Sequence, residues 1–170
     1  LPEPGGLCQH SLNVYRRLKW LIEAAAEQDI SYAGISDETI AICGLLHDLC
    51  KVGCYQKEPK NQKTYDPEKV GKAQRYQIKH DDLGDFVWET VMAYKFDDPM
   101  PLGHGGKSAY IANSFMKLTR EETFAITYHM GPWGNENQND VSKAFDLYPL
   151  ALFTHFADMA ATKLDEQSEK

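Results

Sequence analysis

Leu45-Leu46-His47-Asp48-Leu49-Cys50-Lys51 is the stretch from which the rest of the chain is read. A His and an Asp stand side by side at the end of an apolar run through Ile40, Ile42, Cys43, Leu45 and Leu46, with a Lys three residues on. Neither polar side chain is stable in a core unless something pairs with it or binds it. Adjacent residues on a helix point about 100° apart, so a long imidazole and a short carboxylate can converge on one cation beside the helix. The second carboxylate oxygen then remains available to bridge to another. Ser36 with Asp37 and Glu38 has the chemistry of an N-cap and an acidic first turn. The spacing predicts a helix from Ile40 to about Cys50, stopped by Gly53 and apolar nearly all round, hence the central and most buried one.

Upstream, Leu7, His10, Val14, Leu18 and Leu21 recur at steps of three and four, broadened by Ile22 and Ala25, with Arg16, Arg17 and Lys19 on the opposite side. This is an amphipathic helix with His10 on its buried face, entered from an irregular lead-in at Leu1–Gly6 and followed by a connector at Gln28–Gly34. Downstream of Pro99 and Pro101 comes Leu102-Gly103-His104-Gly105-Gly106-Lys107-Ser108, whose glycines let the backbone approach whatever His104 binds. A helix is expected after them, through Ala109, Ile111, Ala112, Phe115 and Met116. Thr119-Arg120-Glu121-Glu122 reads as a capping box opening a helix Glu121–His129, which Gly131-Pro132 terminates. After a polar loop at Gly134–Asp140, a short helix is expected at Val141–Leu147, with Pro149 in the first turn of the next. That last helix, Leu150 to about Leu164, turns Leu150, Phe153, Ala157 and Ala161 inward. His155 and Asp158, three apart, are neighbours on its surface, and the charged tail Asp165–Lys170 is expected to fray.

The middle of the chain has a different character. Gln56–Lys72 is polar, rich in Lys and interrupted by Pro59 and Pro67, which suits a loop or an exposed hairpin arm. Phe86–Tyr94 is β-branched and aromatic and is predicted to be a strand, its partner lying in Tyr55–Tyr65 or Gln74–Ile78. The expected fold class is therefore mainly α, a helical bundle with a small β-hairpin excursion at about 55–101, all within one domain spanning 1–170.

Composition narrows the function classes. Hydrophobic residues make up 42% and charged residues 25%, ordinary for a soluble globular chain. No apolar run approaches the ~20 residues that cross a bilayer, and no stretch resembles a signal peptide, so a cytoplasmic protein without a membrane partner is expected. The chain opens on Leu1 rather than Met, which points to processing or truncation. A net charge of −7 argues against strong binding to double-stranded nucleic acid, which needs a basic face. It leaves room for a small anionic substrate, because bound cations invert the local sign. Cys8, Cys43, Cys50 and Cys54 lack the paired spacing of a zinc ribbon and read as small buried thiols in a reducing compartment.

Five segments place a His or an Asp at an apolar helix edge: His10, His47-Asp48, His104, His129 and Asp158. The sixth histidine, His80, lies in a polar Lys-His-Asp-Asp stretch and reads as exposed. Imidazole with carboxylate and no thiolate suits Mn, Fe, Ni, Co or Zn, with Mg possible, and the donor types alone do not choose among them.

The order His10, His47-Asp48, Asp158 resembles the HD superfamily of metal-dependent phosphohydrolases. The flanking words resemble it too: Gly5-Gly6-Leu7 before His10-Ser11-Leu12, Lys51 after the doublet, and Ala157 before Asp158. With His104 and His129 added, the pattern resembles the two-metal subgroup, which includes cyclic-nucleotide phosphodiesterases, HD-GYP proteins and the nuclease domain of CRISPR helicases. Leu102-Gly103-His104 and Tyr128-His129-Met130-Gly131 look most like small bacterial and phage HD proteins and the HD domain of a bacterial 3′-to-5′ exoribonuclease. The resemblance spans residues 5 to 165. It implies one metal held by His10, His47, Asp48 and Asp158, and a second held by His104 and His129 with Asp48 bridging. It also implies that Lys51 contacts phosphate. The segment Gln56–Met100 is longer than a bare HD core and departs from the pattern.

The expected activity is hydrolysis of a phosphate ester, mono- or diester, of a nucleotide or short oligonucleotide. Two divalent ions roughly 3.5–4 Å apart activate a water and clamp the attacking and leaving oxygens at phosphorus. Lys51 would neutralise charge on the non-bridging oxygens. His155 is a candidate either for orienting a ligand or for protonating the leaving group, and Lys107 and Ser108 could touch phosphate at the start of their helix. Two other functions fit the same residues: a 3′-to-5′ exonuclease on single-stranded nucleic acid, and an inactive metal-bound module that binds a nucleotide or a partner protein. The oligomeric state is open.

Overall fold

Helix α1 (Gly6–Gln28) buries Gly6, His10, Ser11, Val14, Leu18 and Ile22 along one stripe, as its three-and-four periodicity requires. The structure is a computed structural model describing residues 4–98 and 100–166. It is mainly helical, with a small antiparallel sheet in the middle of the chain. By internal packing the chain forms two compact units, residues 1–54 with 98–170, and residues 55–97.

In the first unit a 3-10 turn at Ile30–Gly34 leads to α2 (Asp37–Leu46), where Ser36 Oγ accepts from Thr39 N at 3.1 Å as the N-cap. After a 3-10 turn at Leu49–Lys51 and the segment 55–97, the unit continues with α4 (His104–Asn113), α5 (Arg120–Thr127), α6 (Gln138–Leu147) and α7 (Pro149–Ala160). Thr119 and Glu122 form the reciprocal capping box of α5, and Glu122 is further held by Thr39 Oγ1 at 2.9 Å. The main core joins Val14, Leu18 and Ile22 of α1 to Ile40 and Cys43 of α2 and to Leu150, Ala151 and Ala157 of α7. A second cluster packs Ala109, Ala112, Leu118 and Ile126 against Ile42, Leu46 and Leu49.

Several boundaries differ from expectation, for physical reasons. Helix α2 ends at Leu46 rather than near Cys50, because the chain tightens into the 3-10 turn after His47, and Leu45 is 37% exposed. The deepest helices are therefore α1 and α7, and the apolar run of α2 is divided between the main core, through Ile40 and Cys43, and the second cluster, through Ile42 and Leu46. Helix α4 begins at His104 itself and α5 stops at Thr127, two residues before His129. Helix α6 starts three residues earlier than expected, because Asn137 caps it by accepting from Asn139 N. The last helix passes at Ala161 into a single π turn, Ala161–Asp165. Asp165 and Glu166 belong to no frayed tail: Asp165 pairs with Arg17 and Glu166 with His10. The rest of that tail, 167–170, lies outside the described residues.

The second unit is more than a hairpin. Strand β1 (Tyr55–Thr64) pairs antiparallel along its whole length with β3 (Gly84–Phe96), from Tyr55 opposite Phe96 to Thr64 opposite Val87. A short β2 (Lys79–Asp81) pairs with the other edge of β3, giving the order β1-β3-β2. Between β1 and β2 lies α3 (Pro67–Lys72), capped by Asp66 with Pro67 at its first position. Phe86 is buried against the rings of Tyr65 and Trp88.

Two glycines set the helix crossings of the first unit. A Cβ on Gly44 of α2 would stand 2.6 Å from Tyr15 Cα of α1, so the two backbones touch where only glycine fits. A Cβ on Gly105 of α4 would stand 2.5 Å from Ile126 O and 2.6 Å from Thr127 C at the end of α5. Each crossing lies within five residues of two histidines: Gly44 beside His10 and His47, Gly105 beside His104 and His129.

Candidate metal centre

His10, His47, Asp48, His104, His129 and Asp158 come together in the first unit, although they arise from five separated stretches of chain. His47, Asp48 and His129 are at most 2% exposed, and His10 is 8% exposed. The six are ordered by what stands behind each ring. His47 Nδ1–H donates to the carbonyl of Gly44 at 3.0 Å, one turn back on α2. His129 Nδ1–H donates to the Ile126 carbonyl at 2.7 Å, in the last turn of α5. His10 Nδ1–H donates to Glu166 Oε1 at 2.8 Å. With these protons committed, all three rings turn Nε2 toward the Asp48 carboxylate, an arrangement that fixes the tautomer for cation binding.

Of the nitrogens so turned, one is left without a protein partner and two face each other. His10 Nε2 and His47 Nε2 lie 3.1 Å apart, a separation at which two lone pairs repel unless a proton or metal cation lies among them. His129 Nε2 is buried with no hydrogen-bond partner, its closest acid oxygen being Asp48 Oδ1 at 3.6 Å. A buried ring nitrogen left in this state calls for an unseen partner. Asp48 stands in the middle. Its Oδ2 faces His10 Nε2 at 3.5 Å and His47 Nε2 at 3.6 Å, while its Oδ1 faces His104 Nε2 at 2.5 Å and His129 Nε2 at 3.6 Å. Asp158 Oδ1 adds a carboxylate 3.2 Å from His10 Nε2.

Electrostatics follow this geometry. Burial opposes ionisation of Asp48, but His104 and His129, then His47 and Lys51, hold its carboxyl far below the usual range. The Asp48 and Cys50 contacts raise His104 to about 9. Burial lowers His47 to about 4, helped by His129. Burial opposes protonation of His10 too, yet Asp158, Glu166 and Asp48 raise it. The cluster thus favours the ionised form of the Asp48 carboxyl despite its burial. The buried groups that could hold a metal ion are His10 with His47 and Asp158, His47 with Asp48 and His129, and Asp48 with Cys50 and His104. Nitrogen and oxygen donors of this kind, their outer nitrogens already bonded, fit a borderline divalent ion.

Lys51 Nζ donates to Asp48 Oδ2 at 2.6 Å. Beside it opens a cleft of about 590 Å³ whose lining includes His10, Asp158, Lys51, Lys163, Trp133 and His155. His155 is 4% exposed, donates Nδ1–H to the carbonyl of His129 at 2.7 Å, and is stacked on Trp133 and Phe145. It braces the backbone that carries His129. Lys107 and Ser108 stay out of the cluster: Lys107 is buried and paired with Asp98, and Ser108 Oγ, also buried, accepts from Cys50 N at 3.1 Å. His80 is exposed and bonded to Asp85.

Two residues at the centre escaped sequence reasoning. Cys50 Sγ lies 3.4 Å from His104 Nδ1 and so stands behind that ring as Gly44 O does behind His47. The expectation of a set without sulfur is corrected to this extent: a thiol is in contact with a candidate ligand. Its place three residues after His47 was the available signal, masked by the apolar run. Glu166 had none, because the π turn that aims it at His10 breaks the periodicity of α7.

Among the described residues no helix is long and apolar enough to cross a membrane. No protein-family model, no curated protein and no solved structure matches the chain.

Proposed function

We propose that this chain is an HD-type metal-dependent phosphohydrolase, cleaving a phosphate mono- or diester of a nucleotide or short oligonucleotide with the aid of two divalent cations. The observation that carries the reading is the position of Asp48, one carboxylate oxygen toward each of two imidazole pairs. His10, His47, Asp48 and Asp158 would hold one cation, and His104 and His129 would share Asp48 to hold the other. Such cations, when bound, supply Lewis acidity toward a phosphoryl oxygen and a water nucleophile at neutral pH.

The protein's own groups do the rest. Asp48 stays ionised although buried, so it can serve both positions without waiting for a proton to leave. Glu166, Gly44 O and Ile126 O fix three rings by their outer nitrogens, which keeps the inner nitrogens aimed before any substrate arrives. Lys51 lines the cleft and touches Asp48, so its ammonium can neutralise charge gathering on the non-bridging oxygens. His155, its Nδ1–H held by the His129 carbonyl and its ring between aromatic neighbours, acts as a positioning residue.

The test is metal content together with turnover of bis-p-nitrophenyl phosphate, after chelation and reloading with Mn. Two equivalents per chain and ion-dependent release of p-nitrophenol are expected. A folded sample with no release under any divalent ion would overturn this reading in favour of a metal-bound module that binds a nucleotide or a partner. In the same assay His129→Ala should retain one ion per chain and lose the other, because His10, His47 and Asp158 are untouched. Loss of both ions from a folded variant would mean that the two positions are not separable.

A further inference from the structure

The unit of residues 55–97 presents a surface that the metal centre does not use. In an antiparallel pair, opposed residues share a face and alternate residues point the same way. The register therefore sets Trp88, Met92 and Tyr94 of β3 on one face, with Lys63 opposite Trp88, Pro59 opposite Met92 and Lys57 opposite Tyr94. Trp88 is 57% exposed, Met92 60% and Tyr94 38%, an unusual density of open apolar rings and thioether for a surface strand. The other face of β3 carries Val87, Glu89, Val91, Ala93 and Lys95, and its acids are paired: Glu89 with Lys69, and Glu58 of β1 with Lys95.

Charge separates this face from the rest of the chain. Residues 55–97 contain eight Lys or Arg and eight Asp or Glu, so the chain's net charge of −7 resides wholly outside them. The aromatic face itself carries Lys57 and Lys63, while its one strand acid, Asp81 at the far end of β2, is bonded to Lys63 and Tyr65. Lys57 Nζ lies 5.2 Å from the centre of the Tyr94 ring and Lys63 Nζ 4.3 Å from that of Phe86. Trp88 and Tyr94 are six residues apart, as are Lys57 and Lys63, a spacing of about 20 Å along a strand.

Open rings flanked by ammonium groups on an acid-poor surface match the chemistry of single-stranded nucleic acid, whose bases stack on aromatic side chains while Lys takes the phosphates. A base-paired duplex hides its ring faces and leaves only the charge contact. We propose that the Trp88–Tyr94 face of the sheet binds single-stranded nucleic acid, with bases stacked on Trp88 and Tyr94 and phosphate held by Lys57. This face does not depend on the hydrolase reading and would bind with the metal centre disabled.

The experiment is fluorescence anisotropy of the full chain with labelled single-stranded oligo(U) and oligo(dT) of about a dozen nucleotides, and with a duplex of the same length. Wild type should prefer the single strands. Trp88→Ala and Tyr94→Ala should each weaken binding about tenfold or more, and Lys57→Gln should reduce its salt dependence. Circular dichroism checks the fold of each variant, and Tyr94→Phe, which keeps the ring, should bind as wild type. Binding should persist after divalent ions are chelated, which also prevents turnover of the probe. No binding by wild type at low salt overturns the proposal, as does equal affinity for duplex, unchanged affinity of a folded Trp88→Ala,Tyr94→Ala double variant, or loss of binding on chelation.

Discussion

Asp48→Ala is expected to abolish retention of both divalent ions and bring phosphodiester hydrolysis down to the metal-free baseline. The carboxylate is 2% exposed, and its two oxygens face His10 and His47 on one side and His104 and His129 on the other. Removing it leaves four imidazoles and the Lys51 ammonium around a cavity with no central anion, which no cation pair would occupy. Stability should fall as well, by about 3 kcal/mol, the low end for a broken buried ion pair because Lys51 is partly solvated. Elemental analysis of the dialysed protein and a urea titration measure the two effects separately. Full metal stoichiometry in a folded Asp48→Ala sample would contradict the bridging role. Asp48→Asn keeps the shape, so it should recover part of the stability and little of the metal.

Gly105→Ala should do by packing what Asp48→Ala does by charge, but on one side only. The added methyl would collide with the carbonyl groups of Ile126 and Thr127, backbone atoms that cannot swing aside. Helix α4 must then move off the end of α5, which separates His104 from His129. Overpacking of this kind typically costs about 1–3 kcal/mol and can cost more. One ion per chain should remain, held on the side of His10, His47 and Asp158. Gly106→Ala is the control: no atom lies within 4 Å of its added methyl, and alanine in a helix gains up to about 1 kcal/mol over glycine. If the two variants unfold at the same urea concentration and carry the same metal, the close crossing of α4 on α5 does not set the site.

Much of this arrangement was legible in the residues because it is periodic. The stripe of α1 put His10 inward, the capping box at Thr119 fixed where α5 starts, and Pro149 marked the start of α7. The aromatic run at Phe86–Tyr94 reported a strand, and Tyr55–Thr64 was among its anticipated partners. What escaped was whatever depends on turns of unusual pitch or on backbone contact. The 3-10 turn after His47 brings Cys50 to His104, and no helical wheel places those two together. The π turn at Ala161–Asp165 carries Glu166 back to His10. Helix α3 was hidden by the polar composition around Pro67, although Asp66-Pro67 is a good start signal once recognised. Lys107 and Ser108 looked like anion contacts because glycines precede them, but burial commits Lys107 to Asp98 and Ser108 to Cys50.

The pairing of Tyr55 with Phe96 has a consequence for assembly. The centre draws His10, His47 and Asp48 from before residue 55 and His104, His129 and Asp158 from after residue 97. Had the intervening chain been slack, tethering its two ends together would have cost about 3 kcal/mol of entropy. Zipped from Tyr55 opposite Phe96 to Thr64 opposite Val87, the excursion holds its own two ends together. The sheet thus keeps the ends of the intervening chain together, while the clustered residues, among those described, all come from outside it.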